Sequence, residues 1–254
     1  MNLVIWFTWY DEILQKFGFP RADDEKSAQI LNNLLKSSDR LSLSDIPSKM
    51  DAIVFGAGPS IKKNINEIKI LDLSKFILIA ADGATTALLE ENIIPEIVVT
   101  DLDGEMKDII YANQEGSLIV VHAHGNNIEK VKEFVPSLQR IMGTTQSTPL
   151  ENVHNFGGFT DGDRALFLAV ELGASNIIMA GMDFGKIVTK YSRPDMEKSE
   201  GKADDVKKLK LEYAKALVEW IAANEDVTIF NISHGEKLKG VLDVNAHDLN
   251  KILE

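Results

Sequence analysis

Between Ala80 and Gly104, AADGATTALLEENIIPEIVVTDLDG, three carboxylates follow the ends of two apolar runs: Asp82 after Phe76 to Ala80, and Asp101 and Asp103 after Ile97 to Thr100. A helix-length segment of Ala and Leu separates the runs, which predicts a βαβ unit. Its strands run parallel, so both acidic groups emerge at carboxyl ends, where open α/β sheets place their ligands. Neighbouring strands would set the groups roughly 5 Å apart. Asp101 and Asp103 alternate with Leu102, and in extended chain such positions share a face. Carboxylates that converge with no Lys or Arg between them repel one another, and a hard divalent cation, Mg2+ shared with substrate phosphates, resolves the conflict. A turn or helix N-cap is the ordinary alternative for any one of the three taken singly.

Other strand ends carry polar groups as well. Gly56-Ala57-Gly58-Pro59-Ser60 follows an apolar run, and glycines at a strand-to-helix turn let backbone N–H groups approach a phosphate. Ile61 stands where a dinucleotide fingerprint needs glycine, and no Lys-Ser or Lys-Thr pair follows, so a tight turn without ligand stays open. His122 and His124 could bind zinc, but no third ligand is near in sequence, so a polar loop touching substrate is expected instead. Gly157 to Arg164, GGFTDGDR, precedes the apolar helix Ala165 to Leu172, with Thr160 or Asp161 as N-cap. Gly181-Met182-Asp183-Phe184-Gly185 returns one more carboxylate to the same edge.

The elements that must position these groups are legible from periodicity. Leu3 to Tyr10 is apolar but meets Asp11 and Glu12 after eight residues, too soon for a signal peptide or a membrane span. With Ile13, Leu14 and Phe17 it predicts a helix that Gly18 and Pro20 stop, and a second begins at Asp23 with Ile30, Leu31, Leu34 and Leu35 on one face. Residues 1–50 are therefore expected to form a helical N-terminal appendage, bounded by the polar segment Ser37 to Ser48, and residues 51–254 an α/β catalytic domain. From Asp51 strands are predicted near 52–55, 76–80, 97–100, 118–122, 176–181 and 227–231 with helices between, a doubly wound, mostly parallel sheet with helices on both faces. With 254 residues, 44% of them hydrophobic, the chain can bury a sizeable core. It has no cysteine, which excludes disulfides and thiolate metal sites and makes a reducing, cytoplasmic setting the default. A formal charge of -12 argues against nucleic acid or anionic membrane as partner.

Taken in order, GAGPS, ADGATTAL, TDLDG, HAHGN, NFGGFTDGDRA and GMDFG resemble the archaeal-type 6-hydroxymethyl-7,8-dihydropterin pyrophosphokinases, relatives of the catalytic domain of thiamin pyrophosphokinases, over about residues 51 to 235. The resemblance implies Mg2+-dependent transfer of the ATP β,γ-diphosphate to a pterin hydroxymethyl group with release of AMP, in folate or methanopterin biosynthesis. ATP and a reduced pterin are the implied partners, and a homodimer is compatible with it. It makes Asp82, Asp101 and Asp103 metal ligands, and Gly56, Gly58, Pro59, Ser60, Asp163 and Arg164 nucleotide contacts. Asp103 or Asp161 is the candidate to accept the hydroxymethyl proton, so Asp101, Asp103 and Asp161 form the expected catalytic set. His124, Asn126, Thr145, Gln146 and Phe159, in loops at the mouth of the site, are the expected pterin contacts. Asn126 stands where the family often has an acidic residue, which puts a charged role there in doubt.

Three other functions compete. Thiamin pyrophosphokinases add a β-rich C-terminal domain, whereas only residues 227–254 follow Asp226, which disfavours thiamin. Asp101-Leu102-Asp103-Gly104 mimics the D-x-D-G-T motif of haloacid dehalogenase-type phosphatases, but Glu105 replaces Thr and the motif follows the third strand rather than the first. A non-catalytic nucleotide or pterin binder would show binding without AMP release. Finally, Gly185 to Asp205 is polar, longer than a simple connection needs and rich in Lys and Arg; it is expected to act as a mobile lid with Lys190 and Arg193 on the phosphates.

Overall fold

The computed structural model describes residues 1–36, 41, 45–46 and 51–253, so the expected boundary at Ser37 to Ser48 falls largely outside the described residues. The helices are α1 Leu3–Phe17, α2 Arg21–Leu35, α3 Ile61–Ile68, α4 Ala84–Leu89, α5 Met106–Gln114, α6 Ile128–Phe134, α7 Asp161–Glu171, α8 Asp205–Asn224 and α9 Ala246–Ile252. The strands are β1 Asp51–Phe55, β2 Phe76–Ala81, β3 Ile97–Thr100, β4 Leu118–Ala123, β5 Ile141–Thr145, β6 Val153–His154, β7 Asn176–Ala180, β8 Ile187–Thr189, β9 Glu200–Lys202, β10 Thr228–Asn231 and β11 Leu242–Asp243. Nine of them form one sheet in the order β11-β10-β7-β1-β2-β3-β4-β5-β6, every pair parallel, and β8 and β9 form a separate antiparallel hairpin.

The strands read as unbroken apolar runs because both faces are covered. Alternate residues go to opposite layers. Ile53, Phe55, Leu78, Ala80, Val98, Ile119 and Val121 pack under α2 to α6 and α9. Ala52, Val54, Ile77, Ile79, Val99, Val120 and Met179 pack under α1, α7 and α8. The two N-terminal helices share these layers: Trp6, Tyr10 and Ile13 belong to one, Ala28, Leu31 and Leu35 to the other, all at most 1% exposed. No helix among the described residues is long and apolar enough to cross a membrane.

Strand order reverses between β1 and β7, which opens the crevice where such sheets bind ligands. One sequence expectation changes. Residues 141–145 form β5 rather than a loop, and Thr145 is 2% exposed, its hydroxyl within 3.0 Å of that of Ser147; it faces the interior and not the mouth of the site. Residues 187–202, within the segment expected to act as a mobile lid, contain the hairpin β8–β9, with Val188, Thr189 and the following Ala203 buried and Thr189 donating to the carbonyl of Ala57.

Candidate active site

The carboxyl ends of β7, β1, β2, β3, β4 and β5 line one cleft, closed by the α1–α2 connection, the N-terminus of α7, the hairpin and the first turns of α8. At its centre Asp82, Asp101, Asp103 and Asp161 each offer an oxygen within 4.8 Å of the others. Asp82 follows β2 directly. Asp101 and Asp103 do not converge by strand alternation, because β3 ends at Thr100 and Leu102 adopts a left-handed φ of 69° that folds the two carboxylates together. Leu102 is 1% exposed in the apolar layer, and its N–H donates to Thr100 Oγ1, so burial holds the turn in a conformation costly for a branched side chain. Asp82 itself has φ 42° and accepts from Thr100 Oγ1.

Electrostatics separate the four. Burial, then the charges of Asp161, Asp103 and Asp101, pushes Asp82 well above the carboxylate range. Burial and Asp101 raise Asp161, although Arg164 opposes them. Burial and Asp101 also raise Asp103, which is open to the cleft yet surrounded by protein. For Asp101 burial acts upward, but the hydrogen bond from His124 outweighs it and holds the carboxyl below its ordinary range.

Asn126 N–H donates to His124 Nδ1 at 3.3 Å, so Nε2 carries the proton and donates to Asp101 Oδ2 at 3.1 Å. His124 thus orients a carboxylate. Asp101 Oδ1 is buried with no hydrogen-bond partner, an orphaned acceptor on a member of the cluster. An all-oxygen, four-carboxylate set with an unmatched oxygen fits a hard divalent cation, with Asp161 added to the three expected ligands. His122 makes no such site: it is 1% exposed, burial keeps its pKa well below the ordinary value, and Nδ1 lies 3.2 Å from Thr144 Oγ1.

Arg164 reaches this centre from α7. Its guanidinium donates to Asp161 Oδ1 at 3.1 Å and to Gln146 Oε1 at 3.3 Å. Gln146 in turn donates to Asp24 Oδ2, which also accepts from Tyr10 OH, both at 2.7 Å, while Asp24 Oδ1 accepts from Gly125 N–H at 2.8 Å. Gln146 is 4% exposed, so it braces Arg164 against the N-terminal helices as well as lining the cleft. Phe159 lines the cleft with its ring 5.1 Å from that of Phe17, and Lys210 Nζ sits 5.8 Å from its centroid.

Several expected nucleotide contacts are placed otherwise. Asp163 is fully buried and accepts from Phe159 N–H at 2.5 Å and from Thr160 N–H at 2.8 Å, so it caps α7 instead of facing the cleft. Ser60 donates through N–H and hydroxyl to Asp183 Oδ2, at 3.2 and 2.9 Å, so a carboxylate fills the place expected for a phosphate at the start of α3. Gly56, Gly58 and Pro59 do line the cleft, and a Cβ on Gly58 would collide with Asp183. Lys190 lies over the Tyr191 ring and Arg193 pairs with Asp204, and neither lines the cleft. The cations that do are Arg164, Lys207 and Lys210. The two lysines, three apart in the opening turns of α8, share a face, and that spacing was the available signal.

Proteins named 6-hydroxymethyl-7,8-dihydropterin pyrophosphokinase from Methanothermobacter thermautotrophicus, Methanocaldococcus jannaschii and Pyrococcus furiosus are 55%, 47% and 39% identical to the chain over 231 residues. The alignments cover 90%, 87% and 90% of this chain and 99%, 96% and 97% of theirs. A solved thiamine pyrophosphokinase from Bacillus subtilis is a distant neighbour, 18% identical, covering 72% of this chain and 60% of its own, with a TM-score of 0.35. The 6-hydroxymethylpterin diphosphokinase MptE-like family matches residues 26–189, and the chain belongs to that family of diphosphotransferases.

Proposed function

We propose that the protein transfers the β,γ-diphosphate of ATP to the hydroxymethyl group of 6-hydroxymethyl-7,8-dihydropterin with Mg2+, releasing AMP. The observation that carries this is the four-carboxylate cluster at the middle of a cleft whose wall also supplies Arg164, Lys207 and Lys210. Family membership supports the pterin acceptor. The alcohol oxygen attacks Pβ, a new O–P bond forms, the bond from Pβ to the Pα–Pβ bridging oxygen breaks, and that oxygen leaves on AMP. Such a transfer needs positioning and charge neutralisation rather than a protein nucleophile. Asp82, Asp101, Asp103 and Asp161 would hold Mg2+, which when bound offsets phosphate charge and polarises phosphoryl oxygens. Arg164 and the two lysines counter the remaining charge, and Asp103 or Asp161 accepts the hydroxyl proton.

Incubation with ATP, Mg2+ and a panel of reduced hydroxymethylpterin and thiamin, followed by chromatography, tests the reading. AMP appearing in step with the pterin diphosphate is the expected result; ADP, or turnover of thiamin alone, refutes it. Lys210→Met keeps the apolar stem over Phe159 and removes the charge, and should lower kcat/KM for ATP about tenfold or more without lowering Tm. Burial and the nearby Arg164 already disfavour that charge. Lys190→Ala with Arg193→Ala should have the smaller effect, since both lie off the cleft wall; the opposite ranking would return the phosphate contacts to the hairpin.

A further inference from the structure

The cleft has two chemically different ends. At the β1–β7 end glycine backbone, Asp183 and the apolar hairpin residues Ile187 and Val188 form the wall, at the strand-order reversal. At the β4–β5 end the wall is Phe19 from the α1–α2 connection and Asp23 from the first turn of α2, with Asn126 and Phe159. Asp23 is exposed in the first turn of α2, and its side chain has no hydrogen-bond or ion-pair partner among the described residues. It is nonetheless held in place. A Cβ on Gly125 would come within 2.6 Å of Asp23 Cβ, so α2 is seated directly on the turn after β4, and the neighbouring Asp24 is tied to the Gly125 N–H. Arg21, the nearest cation in sequence, is committed to Asp11 and to the Tyr10 ring.

We infer that this end is the acceptor subsite and that Asp23 is its specificity-determining residue, pairing with the amino-pyrimidinone edge of the pterin. The inference rests on the pterin reading above. That edge presents a ring N–H and an adjacent amino group side by side, a fork that a carboxylate accepts through both oxygens. A triphosphate laid here would face an uncompensated carboxylate, whereas a neutral, flat, donor-bearing heterocycle gains from it. Phe19 stacks on Phe17 at 5.3 Å and Phe17 meets Phe159 at 5.1 Å, giving a continuous aromatic flank for the ring system. The nucleoside then takes the β1–β7 end, and the two reactants meet over the carboxylate cluster.

The test is steady-state kinetics on wild type, Asp23→Asn and Asp23→Ala, with the hydroxymethyl dihydropterin and with its analogue lacking the 2-amino group. Both variants should raise the pterin KM about tenfold or more, leave the ATP KM within about twofold, and lose most of the wild-type preference for the amino compound. An unchanged pterin KM with the preference intact overturns the inference and leaves the reaction standing. A rise in the ATP KM alone overturns it too, and reverses the cleft. Wild type that turns over neither pterin removes the functional reading and the subsite together.

Discussion

Asp101→Asn and Asp103→Asn each lower turnover at least about a hundredfold at saturating Mg2+, because on the proposed reading each withdraws a charged oxygen from the set that would hold the cation. Near wild-type turnover in both variants would dissolve the proposed metal site. Stability should move differently. Asp101 is held ionised by His124, so its contribution is present above the unfolded pKa and lost as pH falls; Asp101→Asn lowers the metal-free Tm at pH 7. Asp82 has a raised pKa, so its contribution is present below the unfolded pKa and lost as pH rises through the folded value. Asp82→Asn keeps an acceptor for Thr100 and removes a buried ionisable group that its acidic neighbours disfavour, so it raises the metal-free Tm at pH 7 while turnover falls. Differential scanning calorimetry in chelator reads both signs, and equal signs would contradict the electrostatic ordering of the cluster.

Removing residues 1–50 abolishes cooperative folding. Trp6, Tyr10, Ile13, Leu31 and Leu35 are all 0% exposed, and burying each is worth about 1.5–3 kcal/mol. Their sum rivals the roughly 5–15 kcal/mol by which whole domains are stable. The deletion also leaves Gln146 without Asp24 and the indole donor of Trp6, which reaches the Gln146 carbonyl at 2.8 Å. A melt of residues 51–254 followed by circular dichroism should show no sigmoidal transition. A cooperative melt within about 5 °C of the full chain would make the two helices an adjunct after all.

The placement of the central carboxylates was legible because it is local: an apolar run that stops at an acidic residue announces both a parallel strand and a group at its carboxyl end, as at Ala81-Asp82 and Thr100-Asp101. The left-handed turn at Leu102 was not, since nothing about leucine suggests positive φ and only its burial explains it. Ile141 to Thr145, with Gly143 at its centre and two threonines, lacks the apolar density of the other strands, and its place beside β4 is a tertiary fact. Charge counting picks out Lys190 and Arg193 for their place beside the GMDFG edge, but the carboxylate that caps α8, Asp204, takes up Arg193, and position in the sequence does not show which cations face the cleft. Asp24 was out of reach, because its partners at Gly125 and Gln146 lie more than a hundred residues away and one sequence carries no trace of the pairing.

The order of the strands also sets a length. Parallel neighbours lie about 4.8 Å apart, so the five steps from β7 through β1, β2, β3 and β4 to β5 cover about 24 Å. Asp82 and Asp101 stand on either side of the third step, at the midpoint. The sheet edge is in effect a ruler, graduated by backbone hydrogen bonds and indifferent to side-chain motion. On the proposed placement of the two reactants, a single molecule tying adenosine to a pteridine through a polyphosphate bridge would register on it only when the bridge sets each ring at its own end; with a shorter bridge, one ring would hang free.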